Sequence, residues 1–204
     1  MSPERRREIA VQALLPKEQA PMCPFRHGAQ RCNKQYGVCS LKLYIPLADG
    51  EAEAVGGADG SLRTVCPYRF DEAGRVYRWV GETLLSHSDP LVIRELPFLR
   101  SASSPTADDL VQDDTVGRID CVLVHPELES LRWCALETQA VYFSGGSMRR
   151  EVNEASGAHG LLVPFPAAHR RPDYRSSGPK RLMPQLQIKV PTLRRWGKKM
   201  AVLV

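Results

Sequence analysis

Nowhere in this 204-residue sequence does an apolar run approach the ~20 residues that a helix needs to cross a bilayer. The N-terminus, MSPERRREIAVQALLPKEQ, carries basic residues, but acids interrupt its short apolar part and no small-residue cleavage site follows. That excludes a secretory signal peptide. Internal repeats and low-complexity tracts are absent, which excludes a repeat architecture. The common Cys-x-x-Cys pair is missing too, so generic zinc-finger spacing does not apply. What remains is ordinary for a soluble globular protein: 43% hydrophobic and 25% charged residues, in a length that suits one or two domains with a true core. A cytoplasmic location is the default expectation. Lys and Arg outnumber Asp and Glu by 28 to 23, and the resulting net charge of +5 favours a polyanionic partner.

Along the chain, Ile9, Ala10, Ala13 and Leu14 stand at helical spacing in a helix that ends near Pro16. A compact polar region, 23 to 70, follows and contains the Gly-rich surface loop GEAEAVGGADGS. From 71 to about 87, Val76, Trp79, Val80, Thr83 and Leu84 trace an apolar helical stripe, with Asp71 as N-cap. LVIRELPFL (91 to 99) reads as a strand, then a polar loop over 101 to 114. Strands are expected over 117 to 124 and 133 to 143, joined by HPELES. The segment 144 to 178 reads as a loop. Leu182, Leu186, Val190 and Leu193 then form one stripe of a helix kinked or divided by Pro184 and Pro191, and KKMAVLV closes as a strand. The chain ends inside that apolar strand, which reads as a longer parent shortened. The expected domains are 1 to 70, a metal-binding region, and 71 to 204.

Four of the six cysteines, Cys23, Cys32, Cys39 and Cys66, lie in the polar region. Cys23 and Cys66 are each followed by Pro and an aromatic (CPF and CPY), a repeated environment that suggests a shared task. Four thiolates can close a tetrahedral site around Zn²⁺ or iron and fold a region too small and polar to build its own core. The alternative is a set of buried or disulfide-paired cysteines. Cys121 and Cys134, inside apolar strands, read as small buried thiols. His27, beside the first of the four, is expected to be exposed.

Residues 120 to 143, DCVLVHPELESLRWCALETQAVYF, hold two apolar runs interrupted by acids: Asp120 in one, Glu137 followed by Gln139 in the other. In a strand, alternate residues share a face and i to i+2 spans about 6.6 Å. Glu137 and Gln139 therefore project together, Leu136, Thr138 and Ala140 face the other way, and a hairpin brings Asp120 opposite the first pair. Carboxylates on adjacent strands are what a Mg²⁺ site for phosphodiester hydrolysis requires, because Mg²⁺ takes oxygen ligands, keeps waters and activates one as nucleophile. A solvated strand face would tolerate the same residues. The apolar sequence flanking both acids fits a central strand better.

A helix, then a strand with Asp, a hairpin and a strand with Glu-x-(Lys or Gln) resembles the PD-(D/E)XK nuclease fold, an α/β (α+β) core in which helices flank a mixed central sheet. With CPFRHGAQRCNKQYGVCSL, VCPYRF, VGRIDCVLV, ALETQAVYFSG and RLMPQLQIKVPTLRRWGKKMAVLV, in that order from about residue 20 onward, the chain looks like the NotI-type restriction endonucleases. That resemblance implies a bacterial type II enzyme of a restriction-modification system. It implies a homodimer that cuts double-stranded DNA at a long GC-rich palindrome with Mg²⁺, and a structural iron (alternatively zinc) held by four cysteines. By position the iron ligands are Cys23, Cys32, Cys39 and Cys66. Asp120 and Glu137 hold Mg²⁺, and Gln139 stands where Lys is usual, so its role is hydrogen bonding. A further upstream acid is implied, Glu95 on the preceding strand or Glu82 on the helix.

Basic residues crowd the last third: Arg149, Arg150, His169, Arg170, Arg171, Arg175, Lys180, Arg181, Lys189, Arg194, Arg195, Lys198 and Lys199. Phosphate neutralisation needs such a surface, and Arg reads guanine bidentately. A different class of reading keeps the cysteines and the basic surface but dispenses with Asp120 and Glu137, namely a metal-stabilised DNA-binding module without catalysis.

Overall fold

A computed structural model of the chain describes residues 2–26, 29–34, 36, 38–47, 52–100, 115–158, 163–165 and 170–204. In chain order the elements are α1 (Pro3–Leu14), β1 (Ser40–Leu41), β2 (Tyr44–Pro46), β3 (Ala52–Ala54), β4 (Arg63–Thr64), α2 (Arg75–Leu85), β5 (Leu91–Arg100), β6 (Thr115–Val124), β7 (Trp133–Thr138), α3 (Arg149–Gly157), α4 (Tyr174–Ser177), α5 (Met183–Arg195) and β8 (Lys199–Leu203). The chain divides into two compact units. One comprises Met1–Ala73 with Ala140–Tyr174, the other Gly74–Gln139 with Arg175–Val204. The N-terminal region is thus joined by 140–174, a partnership that a linear division at residue 70 does not contain.

In the first unit, Ser2 caps α1 by accepting from the Arg5 N–H at 3.3 Å, and Pro3 stands where its missing N–H is harmless. α1 packs on α3, burying Ala10 and Val152. The remaining order comes from two-stranded pairs, β1 with β4 and β2 with β3. The segment 144 to 178, expected as a loop, contains α3. Its anchor is Arg170, whose guanidinium donates to Glu151 at 3.0 Å and to the carbonyls of Gly146 and Ser147, organising the turn that leads into the helix.

In the second unit, one mixed sheet runs in the order β5-β6-β7-β8, antiparallel up to β7 and parallel between β7 and β8. This is the expected mixed sheet with helices on it. Side chains alternate across it. Cys121, Leu123, Cys134 and Leu136 pack with Tyr77, Val80 and Leu85 of α2, while Val122, Val124 and Ala135 pack with Leu193 of α5. Each face thereby has its own helix. Both strand cysteines are buried in the α2 layer, as expected, and burial pushes the Cys134 thiol up to about 11 against the pull of Lys199.

Several local expectations are corrected. Asp71 does not cap α2. It is buried in a 3₁₀ turn over Pro67–Gly74, and Gly74, at φ 65°, starts the helix in a conformation that glycine adopts without strain. The buried stripe of α2 is Tyr77, Val80 and Leu85, leaving Trp79 63% exposed. Gly81 is required there, since a Cβ would meet the His87 carbonyl oxygen at 2.5 Å. β7 stops at Thr138 rather than near 143, and Phe143 makes only an isolated bridge to Pro172. α5 runs through Pro191 after a π-helical turn over Gly178–Leu182, so the prolines do not divide it. Its inward stripe is Leu182, half-buried Leu186, Lys189 and Leu193, with Lys189 buried where Val190 was expected. The loop 101–114 and His27 lie outside the described residues.

Candidate active site and cysteine cluster

The β6–β7 ladder ends at the pair Cys121–Leu136, and its register places Asp120 directly opposite Glu137 at the next step. Beyond a ladder's last pair, backbone N–H groups lose their partners. Here the two carboxylates replace them. Asp120 Oδ2 accepts from the Thr138 N–H at 2.8 Å and from its hydroxyl at 3.1 Å, and Glu137 Oε1 accepts from the Asp120 N–H at 3.4 Å. Thr138, assigned by alternation to the other face, is thus drawn to Asp120 because it is the last residue of the strand. Gln139, the next residue, is half-buried, and its N–H prolongs the ladder to the Leu203 carbonyl at 2.8 Å.

Glu137 is 2% exposed, on the α5 side of the sheet. Lys189, 3% exposed on α5, donates to Glu137 Oε1 at 2.7 Å and to Gln185 Oε1 at 3.0 Å. Burial pushes the Glu137 carboxyl above its usual range, the neighbouring Asp120 adds to this, and the Lys189 ammonium opposes it. Beside this pair lies a cleft of about 440 Å³ lined by Phe98, Gly117, Arg118, Asp120, Pro184, Gln185, Ile188 and Lys189. One carboxylate and two cations facing one cleft can receive an anionic oxygen and hold a cation next to it.

The two acids are brought together, and their hard oxygen donors fit Mg²⁺. The two upstream acids are not brought to the cleft. Glu95 stands opposite Asp120 in the β5–β6 register, but the ladder passes over it at a backbone φ of 53°, and it is exposed. Glu82 is exposed on α2, the helix that covers the other face. Lys189 was foreseen only as part of a basic surface. Nothing in its spacing separated it from Lys180 or Lys198. Arg118, one residue before Ile119 on β6, was missed altogether. Of the other basic residues, Arg170 is spent on Glu151, His169 lies outside the described residues, and Arg149, Arg171, Arg175, Lys180, Arg181, Arg194, Arg195 and Lys199 are exposed. Arg150 pairs with Glu154, and Lys198 donates to the Leu131 carbonyl.

In the first unit, the bridge Met22–Arg31 sets Cys23 beside Cys32, with the Cys32 N–H donating to the Pro21 carbonyl at 2.9 Å. The β1–β4 pair sets Cys39 beside Cys66, whose N–H donates to the Cys39 carbonyl at 3.2 Å. The repeated Cys-Pro-aromatic-Arg segments then clasp each other. Arg26 of the first lies 4.8 Å over the Tyr68 ring of the second, and Arg69 of the second lies 4.7 Å over the Phe25 ring of the first. All four cysteines are free thiols. Burial raises the Cys39 thiol, and Cys66, Cys32 and Cys23 raise it further, so the four lie within electrostatic reach of one another. Among the described residues, no group of three or more His, Cys, Asp or Glu is disposed to hold a metal ion. The donor chemistry nevertheless fits a thiophilic metal, because soft sulfur ligands are what zinc and iron take.

Compared with known protein families, the chain is a nuclease that acts on DNA at specific sites. It belongs to the restriction endonuclease NotI family, whose model matches residues 9–204. No curated protein and no solved structure matches it. Among the described residues, no helix is long and apolar enough to cross a membrane.

Proposed function

We propose that this chain is a type II restriction endonuclease of the PD-(D/E)XK class, hydrolysing double-stranded DNA at a GC-rich palindromic site with Mg²⁺. The observation that carries the reading is the Asp120–Glu137 pair, opposed across the open end of the β6–β7 ladder beside a cleft with Lys189 and Arg118. Asp120 and Glu137 would hold Mg²⁺, and Thr138 fixes one Asp120 oxygen so that the other can turn to the ion. Bound there, Mg²⁺ supplies activation of water and neutralisation of the scissile phosphate. Gln139, next after β7, orients the water or donates to the phosphate. Exposed Arg194 and Arg195, at the end of α5, suit phosphate or guanine contacts. Two copies related by a two-fold axis would match a palindrome. In the first unit, Cys23, Cys32, Cys39 and Cys66 would hold a structural iron or zinc.

The test is cleavage of a GC-rich plasmid in Mg²⁺, with the cut ends mapped. Asp120→Asn and Glu137→Ala should abolish cutting while DNA affinity, measured in Ca²⁺, stays within a few-fold, because phosphate contacts elsewhere supply most of the binding. Cutting at the wild-type rate by either variant would show that these are the wrong acids. DNA binding by the wild type with no cutting would favour the non-catalytic DNA-binding module instead.

A further inference from the structure

The motif on β7 places Gln139 two residues after Glu137, so the strand itself brings no positive charge to the acids. A phosphodiester being attacked gathers negative charge, which a fixed donor with full charge stabilises better than an amide. The charge comes from another element. α5 turns Lys189 inward on the stripe of Leu182, Leu186 and Leu193, and its ammonium lies 2.7 Å from Glu137 Oε1. An ammonium has three N–H donors, and Glu137 and Gln185 take two of them. Lys189 also lines the cleft together with Asp120.

A lysine on a helix surface normally keeps its head in water. Burying one against a single carboxylate gains little stability over an apolar pair of the same size, because desolvation offsets the attraction. Stability therefore gives little reason for the pair, whereas a position between an acid and a cleft has a chemical use. Resting on the reading of Asp120 and Glu137 as the metal-holding acids, we propose that Lys189 is a catalytic residue. Supplied from α5 in place of a strand lysine, it directs its third N–H to a non-bridging oxygen of the scissile phosphate and stabilises the charge that develops there.

The test is single-turnover cleavage by the full chain in Mg²⁺, with four proteins in parallel: Lys189→Gln, Gln139→Lys, the double variant and Asp120→Asn. Lys189→Gln should cut ~100-fold more slowly or worse, a usual loss for one positioned donor, with DNA affinity in Ca²⁺ within about threefold of wild type. Gln139→Lys alone should keep part of the wild-type rate, because the lysine can still donate a hydrogen bond from that position, and it is the reference for the double variant. In the double variant, the lysine returned to the strand should recover at least ~10-fold over Lys189→Gln. A purely structural Lys189 predicts no such recovery. Cutting within about threefold of wild type by Lys189→Gln, or a folded double variant no faster than the single one, overturns the proposal. If Lys189→Gln fails to fold, the double variant decides alone, and failure of both to fold assigns Lys189 to structure and likewise overturns it. Retained cutting by Asp120→Asn would sink the acid-site reading instead, so the two failures are distinguishable.

Discussion

In the first unit the strands are two or three residues long, and the cysteine segments are tied by single bridges and by arginines laid over rings. In the second, β5 and β6 run ten residues each, and both faces of the sheet bury aliphatic side chains under helices. The sheet has its own source of stability: Leu123, Ala135 and Leu136 are wholly out of water, and each buried CH₂ contributes roughly 0.8 kcal/mol. Among its described residues the cysteine region has nothing comparable, and only Cys66 of the four cysteines is buried. The contrast teaches where an external ligand would matter most to the fold. A metal in the first unit would be part of the fold, whereas a metal in the second would bind a scaffold already formed.

The largest expected effect breaks that comparison directly. Replacing Cys32 or Cys66 by Ser, or stripping metal with a chelator, should unfold the cysteine region, because four-thiolate binding supplies roughly 10 kcal/mol or more of folding free energy. Amide exchange should show protection lost over 20–26, 29–34, 38–41 and 63–69 but retained in β6 and β7. Stoichiometric metal and unchanged exchange in these variants would remove the metal from the account. The visible spectrum of the purified protein separates iron from zinc.

A smaller effect sharpens the comparison through pH. Each unit holds a buried carboxylate paired with a cation, and their titrations are displaced in opposite directions. Burial raises the Glu151 carboxyl, but the Arg170 hydrogen bonds and charge outweigh this and hold it below the usual value. A lowered carboxyl adds stability above its unfolded pKa and loses it as the pH falls through the folded one. Glu137, raised, has the opposite sign, so its ionisation costs stability as the pH rises through its folded value. Glu151→Gln should therefore destabilise the first unit by about 3 kcal/mol at pH 7, and by much less at pH 3. Urea denaturation followed at both values would check it, and an equal loss at both would mean that the ion pair is not what stabilises the turn.

The smallest effect concerns Gln139. Gln139→Ala should slow cleavage by ~100-fold, a loss of about 2.7 kcal/mol in transition-state stabilisation, without moving the melting temperature. A rate within a few-fold of wild type would leave Gln139 as a polar residue at the end of β7 and no more.

The alternation of apolar residues over 117 to 124 and 133 to 138 carried the strands, their burial and the opposition of Asp120 to Glu137, because period-two patterning and a short hairpin leave few registers available. The repeat of the Cys-Pro-aromatic segments was legible in the sequence, although the clasp of Arg26 and Arg69 that joins them was not. Local pattern misjudged the ends of elements. The N-cap at Asp71 and the length of β7 were misplaced, and the helix α3 depends on long-range partners. Arg170, 19 residues beyond Glu151, is one of them. The cation of the site could not be read from sequence at all. Lys189 is separated from Glu137 by 52 residues, in a segment where basic residues are common and most lie in water. Only the packing of α5 on the sheet turned this one inward. Burial of a charge is a property of the partner that awaits it, and that partner is supplied by tertiary structure.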